Sequence, residues 1–114
     1  MHTSTTFELP KTFLTVLNQL YELEQKIKRH GDPALTQRNI SKMKDALEEI
    51  GLYYEDPMGQ AFNETRTDLE ASISGAKTED LVVVEVIKPI IRHGPRSFSR
   101  VIQKGIVVVE SKIN

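Results

Sequence analysis

The sequence has no cysteine and no tryptophan, and only four phenylalanines and three tyrosines in 114 residues. Without a thiol, neither a disulfide framework nor a thiolate metal site can form. With so few large rings, aromatic anchors for a core are scarce. No apolar run approaches the roughly 18 residues that a membrane-spanning helix requires. The amino terminus, MHTSTTFELPK, lacks the charged-then-apolar pattern of a secretory signal. A cytoplasmic protein with no membrane partner is the expectation, and the Asn-x-Ser/Thr matches at Asn39 and Asn63 are read as chance.

Catalytic constellations are also missing. Gly59, Gly75, Gly94 and Gly105 are isolated turn glycines, not a phosphate-cradling loop. His2, His30 and His93 have no partner at metal-ligand spacing and read as surface histidines. Asp68 and Glu70 lie two apart, but as solvated charges rather than an acid–base pair. No enzyme, cofactor or metal is expected.

What is present divides the chain in two. Phe13, Val16, Leu20, Leu23 and Ile27 recur at steps of 3, 4, 3 and 4, the spacing of a coiled-coil seam. Leu14, Leu17 and Tyr21 widen that seam, which suits a bundle with more than one neighbour. Pro10 is tolerable at the helix start, and Lys26, Lys28 and Arg29 before Gly31 suit its end. Asp32 as N-cap and Pro33 at the first helical position restart the helix. Ile40, Met43, Leu47 and Ile50 then repeat the apolar spacing, with Ala46 beside them, until Gly51.

The spacing predicts an antiparallel helical hairpin over residues 1–51. Small domains bury only part of their surface, so an exposed apolar stripe favours a second copy. A homodimer closing a four-helix bundle through these heptad residues is expected. The alternative is a monomer whose helices are covered by its own strands.

Residues 52–114 have the texture of a β-domain. Leu52 to Tyr54 reads as extended, and Leu69, Ala71 and Ile73 alternate as in a short strand. Leu81 to Ile87, LVVVEVI, is a strand expected to be buried on both faces apart from Glu85. Pro89 bends the strand or puts it at an edge, and Gly94-Pro95 turns the chain back. Arg100–Gln103 and Ile106–Glu110 form the returning arm, with a bulge at Lys104-Gly105. The fold class is α+β, with a small, mainly antiparallel β-domain following the helices.

No acidic residue lies between Glu85 and Glu110, whereas Lys88, Arg92, Arg96, Arg100 and Lys104 do. Pro89, Gly94, Pro95 and Gly105 rule out one helix face, so these residues predict a basic rim on a hairpin, suited to an acidic partner surface. Nucleic acid is disfavoured, because the net charge is −1 and no aromatic stacking set accompanies the rim.

The segments KDALEEIGLYYEDPMGQAFN, VVVEVIKPIIR and SRVIQKGIVVVESK, in this order after a helical hairpin, resemble GrpE, the nucleotide exchange factor of DnaK-type chaperones. The resemblance covers about residues 12–112. It departs at Pro89-Ile90, where the family has a Gly-aromatic pair, and at Gln103-Lys104-Gly105, where it has Arg-Pro-Ala. Only about ten residues precede the first helix, where the family has a long stalk. The resemblance implies a homodimeric co-chaperone whose β-domain wedges against the chaperone's ATPase domain and favours its open, nucleotide-free cleft. It implies Arg100 as a charge contact and Val109 as an apolar contact, with Phe62 and Glu64 in a second contacting loop. An adaptor that keeps the shape but only tethers is the competing expectation.

Overall fold

A computed structural model describes residues 10–31 and 34–113. Helix α1 (Lys11–His30) begins behind Pro10, whose carbonyl accepts the Phe13 amide at 3.0 Å. It ends at Gly31, which takes the left-handed conformation (φ 65°) and donates its amide to the Ile27 carbonyl. Lys28, Arg29 and His30 occupy the last turn, where the helix dipole favours cations. Helix α2 (Ala34–Glu49) is in contact with α1. Its proposed start signals, Asp32 and Pro33, lie outside the described residues. The helix closes through Leu47 and Glu48 carbonyls, leaving Ile50 in the turn rather than on the helix face expected for it.

Seven strands follow: β1 (Leu52–Glu55), β2 (Ala61–Phe62), β3 (Leu69–Ser74), β4 (Leu81–Lys88), β5 (Ile90–His93), β6 (Arg100–Gln103) and β7 (Gly105–Ser111). They form a first sheet of order β1-β5-β6 and a second of order β2-β4-β7-β3. All pairings are antiparallel except β3 with β7. The class is therefore α+β, two helices followed by a mostly antiparallel β region.

The long hairpin read from the sequence is present but divided. Its arms, 81–93 and 100–111, pair near the tip as β5 with β6 and near the base as β4 with β7. The arms change sheet at Pro89 and Lys104. Proline lacks the amide a central ladder needs, so the break falls there. The expected bulge at Lys104-Gly105 is instead this crossing. A Cβ on Gly105 would sit 2.8 Å from Leu69 Cδ2 and 3.0 Å from Ile90 Cγ1, so any larger residue would have to displace these side chains.

The true bulges of this ladder lie on β4, where pairing skips Val84 and Ile87. Each extra residue turns outward, and both are exposed. Strand β4 is thus buried on one face only, contrary to the two-sided burial expected from its apolar run.

Three clusters form the interior. Leu69, Leu81, Val83, Ile90, Val107 and Val109 fill the second sheet's core. Leu17 of α1 joins Leu52 and Ile91 of the first sheet, with Phe13, Leu14, Leu47, Tyr54 and Ile102 packed around them. Leu20, Ile27 and Ile40 hold the two helices together. Each such side chain contributes about 1.5–3 kcal/mol when fully buried. The middle cluster spans residue 51, so helices and first sheet share a core.

Candidate functional site

The helix pair presents two unlike faces. Leu17, Leu20, Tyr21, Glu24 and Ile27 form the buried stripe of α1. One turn round the helix, Val16 (47% exposed) and Leu23 (44%) meet Met43 (44%) of α2 across an open groove of about 500 Å³. Leu20, Ala46 and Leu47 complete its apolar lining. The heptad set is therefore split. Leu20, Ile27 and Ile40 are buried within this chain, and Phe13 and Leu47 are half-buried. Val16, Leu23 and Met43 remain on the groove, and Ile50 is exposed beyond it.

The buried stripe carries a polar network that the apolar spacing did not reveal. Glu24 Oε1 accepts from Tyr54 Oη at 2.7 Å, and Lys44 Nζ reaches Oε2 at 3.2 Å. Burial pushes the Glu24 carboxyl up, but the Tyr54 hydrogen bond and the Lys44 charge together hold it below the usual carboxylate range. Tyr54 is in turn pushed well above the ordinary phenol range by burial and by Glu24. Glu24 sits at a stripe position between Leu20 and Ile27, so a charge needing a partner was the available signal.

The basic rim is not continuous. Arg92 donates Nε to Glu55 Oε1 at 2.7 Å and Nη2 to Asp68 Oδ2 at 3.4 Å. Arg96 holds Glu48 with two bonds of 2.7 and 3.0 Å and stacks 3.9 Å from the centre of the Tyr53 ring. These two cations address the chain itself. Lys88, Arg100 and Lys104 are exposed.

Asp68, expected to be a solvated charge, accepts from Arg66 Nε and Nη2 at 3.0 and 2.9 Å as well as from Arg92. The Arg66 bonds hold its carboxyl below the usual range despite partial burial. Glu70, by contrast, is exposed.

The four partner-contact residues do not converge. Arg100 opens β6, opposite His93, and is exposed. Val109 is 0% exposed, opposite Val83 and Ile73 inside the second sheet's core. It cannot meet a partner's surface, so its contact role is withdrawn. Phe62 is half-buried against the same core, and Glu64 is exposed in the following turn.

The hairpin tip, residues 94–99, turns back after Gly94-Pro95 as the sequence predicts, but nothing in the sequence singled out its ring, Phe98. Gly94 donates to the Gly51 carbonyl at 2.8 Å, the Phe98 amide bonds the Pro95 carbonyl at 2.9 Å, and the Tyr53 and Ser99 hydroxyls lie 2.7 Å apart. Between these ties Phe98 is 88% exposed.

Compared with protein-family models, curated proteins and solved structures, the chain matches none. Among the described residues no group of three metal-ligating side chains is assembled, and no helix is long and apolar enough to cross a membrane.

Proposed function

We propose that the chain is a GrpE-like co-chaperone. Its helices form an antiparallel hairpin, two copies pair into a four-helix bundle, and the β region engages a DnaK-type ATPase domain. The observation that carries this reading is the apolar groove of Val16, Leu23 and Met43, on helices whose other stripe is covered by the chain's own sheet. A monomer leaves that groove in water, and a second copy would bury it. The motif resemblance of residues 44–63 and 99–112 supplies the partner class.

Function is then a binding equilibrium. A protein that prefers the open, nucleotide-free cleft weakens nucleotide affinity by the same factor with which nucleotide weakens its own binding. Moving a cleft from mostly shut to mostly open takes a preference of about 5.5 kcal/mol. Arg100 is the charge contact under this reading, with Phe62 and Glu64 in support. The test is release of labelled ADP from DnaK-type chaperones: acceleration is expected, and unchanged release from all of them would refute the exchange role.

One observation favours a second reading. With Val109 buried and Arg92 and Arg96 occupied internally, fewer contacts remain to hold a cleft open. A dimeric adaptor that binds without changing nucleotide release would need fewer. Tight binding with an unaltered ADP off-rate would select it.

A further inference from the structure

We propose that the open edge of β3 is a strand-docking site. An extended segment of a protein partner, with alternating apolar and polar residues and a Lys or Arg among them, pairs with Leu69–Ser74 as a further strand of the second sheet. The site is independent of the exchange-factor reading.

A strand with a neighbour on one side only leaves the N–H and C=O of every second residue without a ladder partner, a template for another chain. Proteins blunt such edges by keeping them short, bulged, charged or covered. The other edges of this molecule are blunted. Strand β2 has two residues, and beyond it β4 is interrupted by its bulges at Val84 and Ile87. Strand β6 has four residues and opens on Arg100, and β1 lies against both helices. Strand β3 is different. It runs for six residues, pairs with β7 in unbroken register and contains neither proline nor a basic residue. Among the described residues no backbone bond joins it to any element but β7.

The rows of the sheet define the missing neighbour. Val83, Val109 and Ile73 stand side by side on the inner face of β4, β7 and β3. Val83 and Val109 are 1% and 0% exposed, yet Ile73 is 46% exposed. In the adjacent row Val107 is buried and Ala71 is only half-buried. The apolar rows thus run off the sheet at β3, and a Val or Ile on an added strand would continue them. On the opposite face β3 presents Glu70, Ser72 and Ser74, all exposed. Glu70 is the one charge of the strand, so small polar residues and a cation opposite Glu70 complete that face. A second copy of β3 would bring another Glu70 and no cation, so a foreign strand fits this edge better. Main-chain bonds to the edge with alternate side chains for selection is a recurrent mode of peptide recognition.

The test uses the full chain and a labelled synthetic peptide that alternates valine with threonine and carries one lysine. The parent should bind it saturably, with amide exchange slowing in β3. A version with proline at alternate positions, which cannot donate to a ladder, should bind at least about tenfold more weakly. Ile73→Lys should weaken binding about tenfold. Glu70→Lys should weaken it up to about fivefold and reverse the preference when glutamate replaces the peptide's lysine. Both side chains are exposed, so both variants should keep the parent's thermal midpoint. Absence of saturable binding would overturn the inference, as would equal affinity for the proline version, unchanged affinity in both variants, or exchange slowing elsewhere than in β3. Self-association of the parent that Ile73→Lys abolishes would also overturn it, because β3 would then pair with a second copy.

Discussion

The two sheets are fed by one hairpin yet are stabilised differently. The first takes its core from helix α1 through Leu17, Leu52 and Ile91, and Arg92 of β5 and Arg96 of the turn that follows are held by Glu55, Asp68 and Glu48. The second sheet packs mainly on its own strands, with Val83, Val107 and Val109 inside and Ile90 of the first sheet beside them, and turns Val84, Ile87 and Lys88 outward. Residues that bind the chain together are thus concentrated in the first sheet. The hairpin changes sheet between Lys88 and Ile90 on one arm and between Gln103 and Gly105 on the other. At that crossing Gln103 Nε2 donates to both the Pro89 carbonyl and Asn18 Oδ1 of α1, each at 3.0 Å. The helix therefore grips the hairpin where it bends.

The largest expected effect tests whether the two cores are separable. Leu17→Ala should cost about 2–5 kcal/mol, the range for emptying a fully buried leucine site. Its loss should loosen amide protection in β1, β5 and β6 together with both helices. Val107→Ala, emptying the second core, should cost less and loosen mainly β3, β4 and β7. Urea unfolding followed by hydrogen exchange checks both. Equal loss of protection in both sheets from either variant would show one cooperative core and erase the distinction.

A charge placed in the helix groove comes next. Leu23→Asp should leave the interior intact, since Leu23 does not belong to the described core clusters. In the proposed dimer it would strand a carboxylate in an apolar seam, costing about 2 kcal/mol or more. Sedimentation should then show the mass falling from two copies to one, with little change in helix content. A parent already at single-copy mass would refute the dimer before any substitution.

Gly105→Ala probes the crossing itself. The added methyl meets Leu69 and Ile90 at under or near 3 Å, and overpacking of this kind costs about 1–3 kcal/mol. Urea midpoints should register this loss with an unchanged slope.

The sequence made the elements visible better than their partners. Helix α1 was legible because its apolar period, Pro10 and Gly31 agree. The strands were legible because β-branched runs stand between turn residues. Their burial was not. Ile106 to Val109 are four β-branched residues without a polar alternation, so nothing in the run says that Val107 and Val109 face inward and Ile106 and Val108 less so. The contact implied for Val109 came from the resemblance, and nothing in this run contradicted it. The basic rim failed for another reason: Arg92 and Arg96 find Glu55 and Glu48 across 37 and 48 residues of chain, a pairing that only the fold brings about. Pro89 announced a break, but a proline does not say that the chain leaves one sheet for another.

The smallest effect concerns acid. Asp68 and Glu24 are both held below their ordinary carboxylate values, Asp68 chiefly by Arg66 and Glu24 by Tyr54 and Lys44 against the opposing pull of burial. For a carboxyl whose folded value is depressed, the stabilisation is present above the unfolded value, about 3.9 for Asp and 4.3 for Glu. It fades as the pH falls through the lower folded value. Stability should therefore decline below about pH 4, where these groups begin to take up protons in the unfolded chain. Asp68→Asn removes one of the titrations, so its stability should be lower at neutral pH and should fall less steeply in acid. Because Glu24 joins both helices to β1, its share of the acid loss should appear in the helix pair and the first sheet, whereas Asp68, which links Arg92 of the first sheet to the start of β3, should weaken both sheets. In Asp68→Asn, amide protection in the second sheet should therefore persist to lower pH than in the helix pair, and simultaneous loss in both would contradict the division drawn between them.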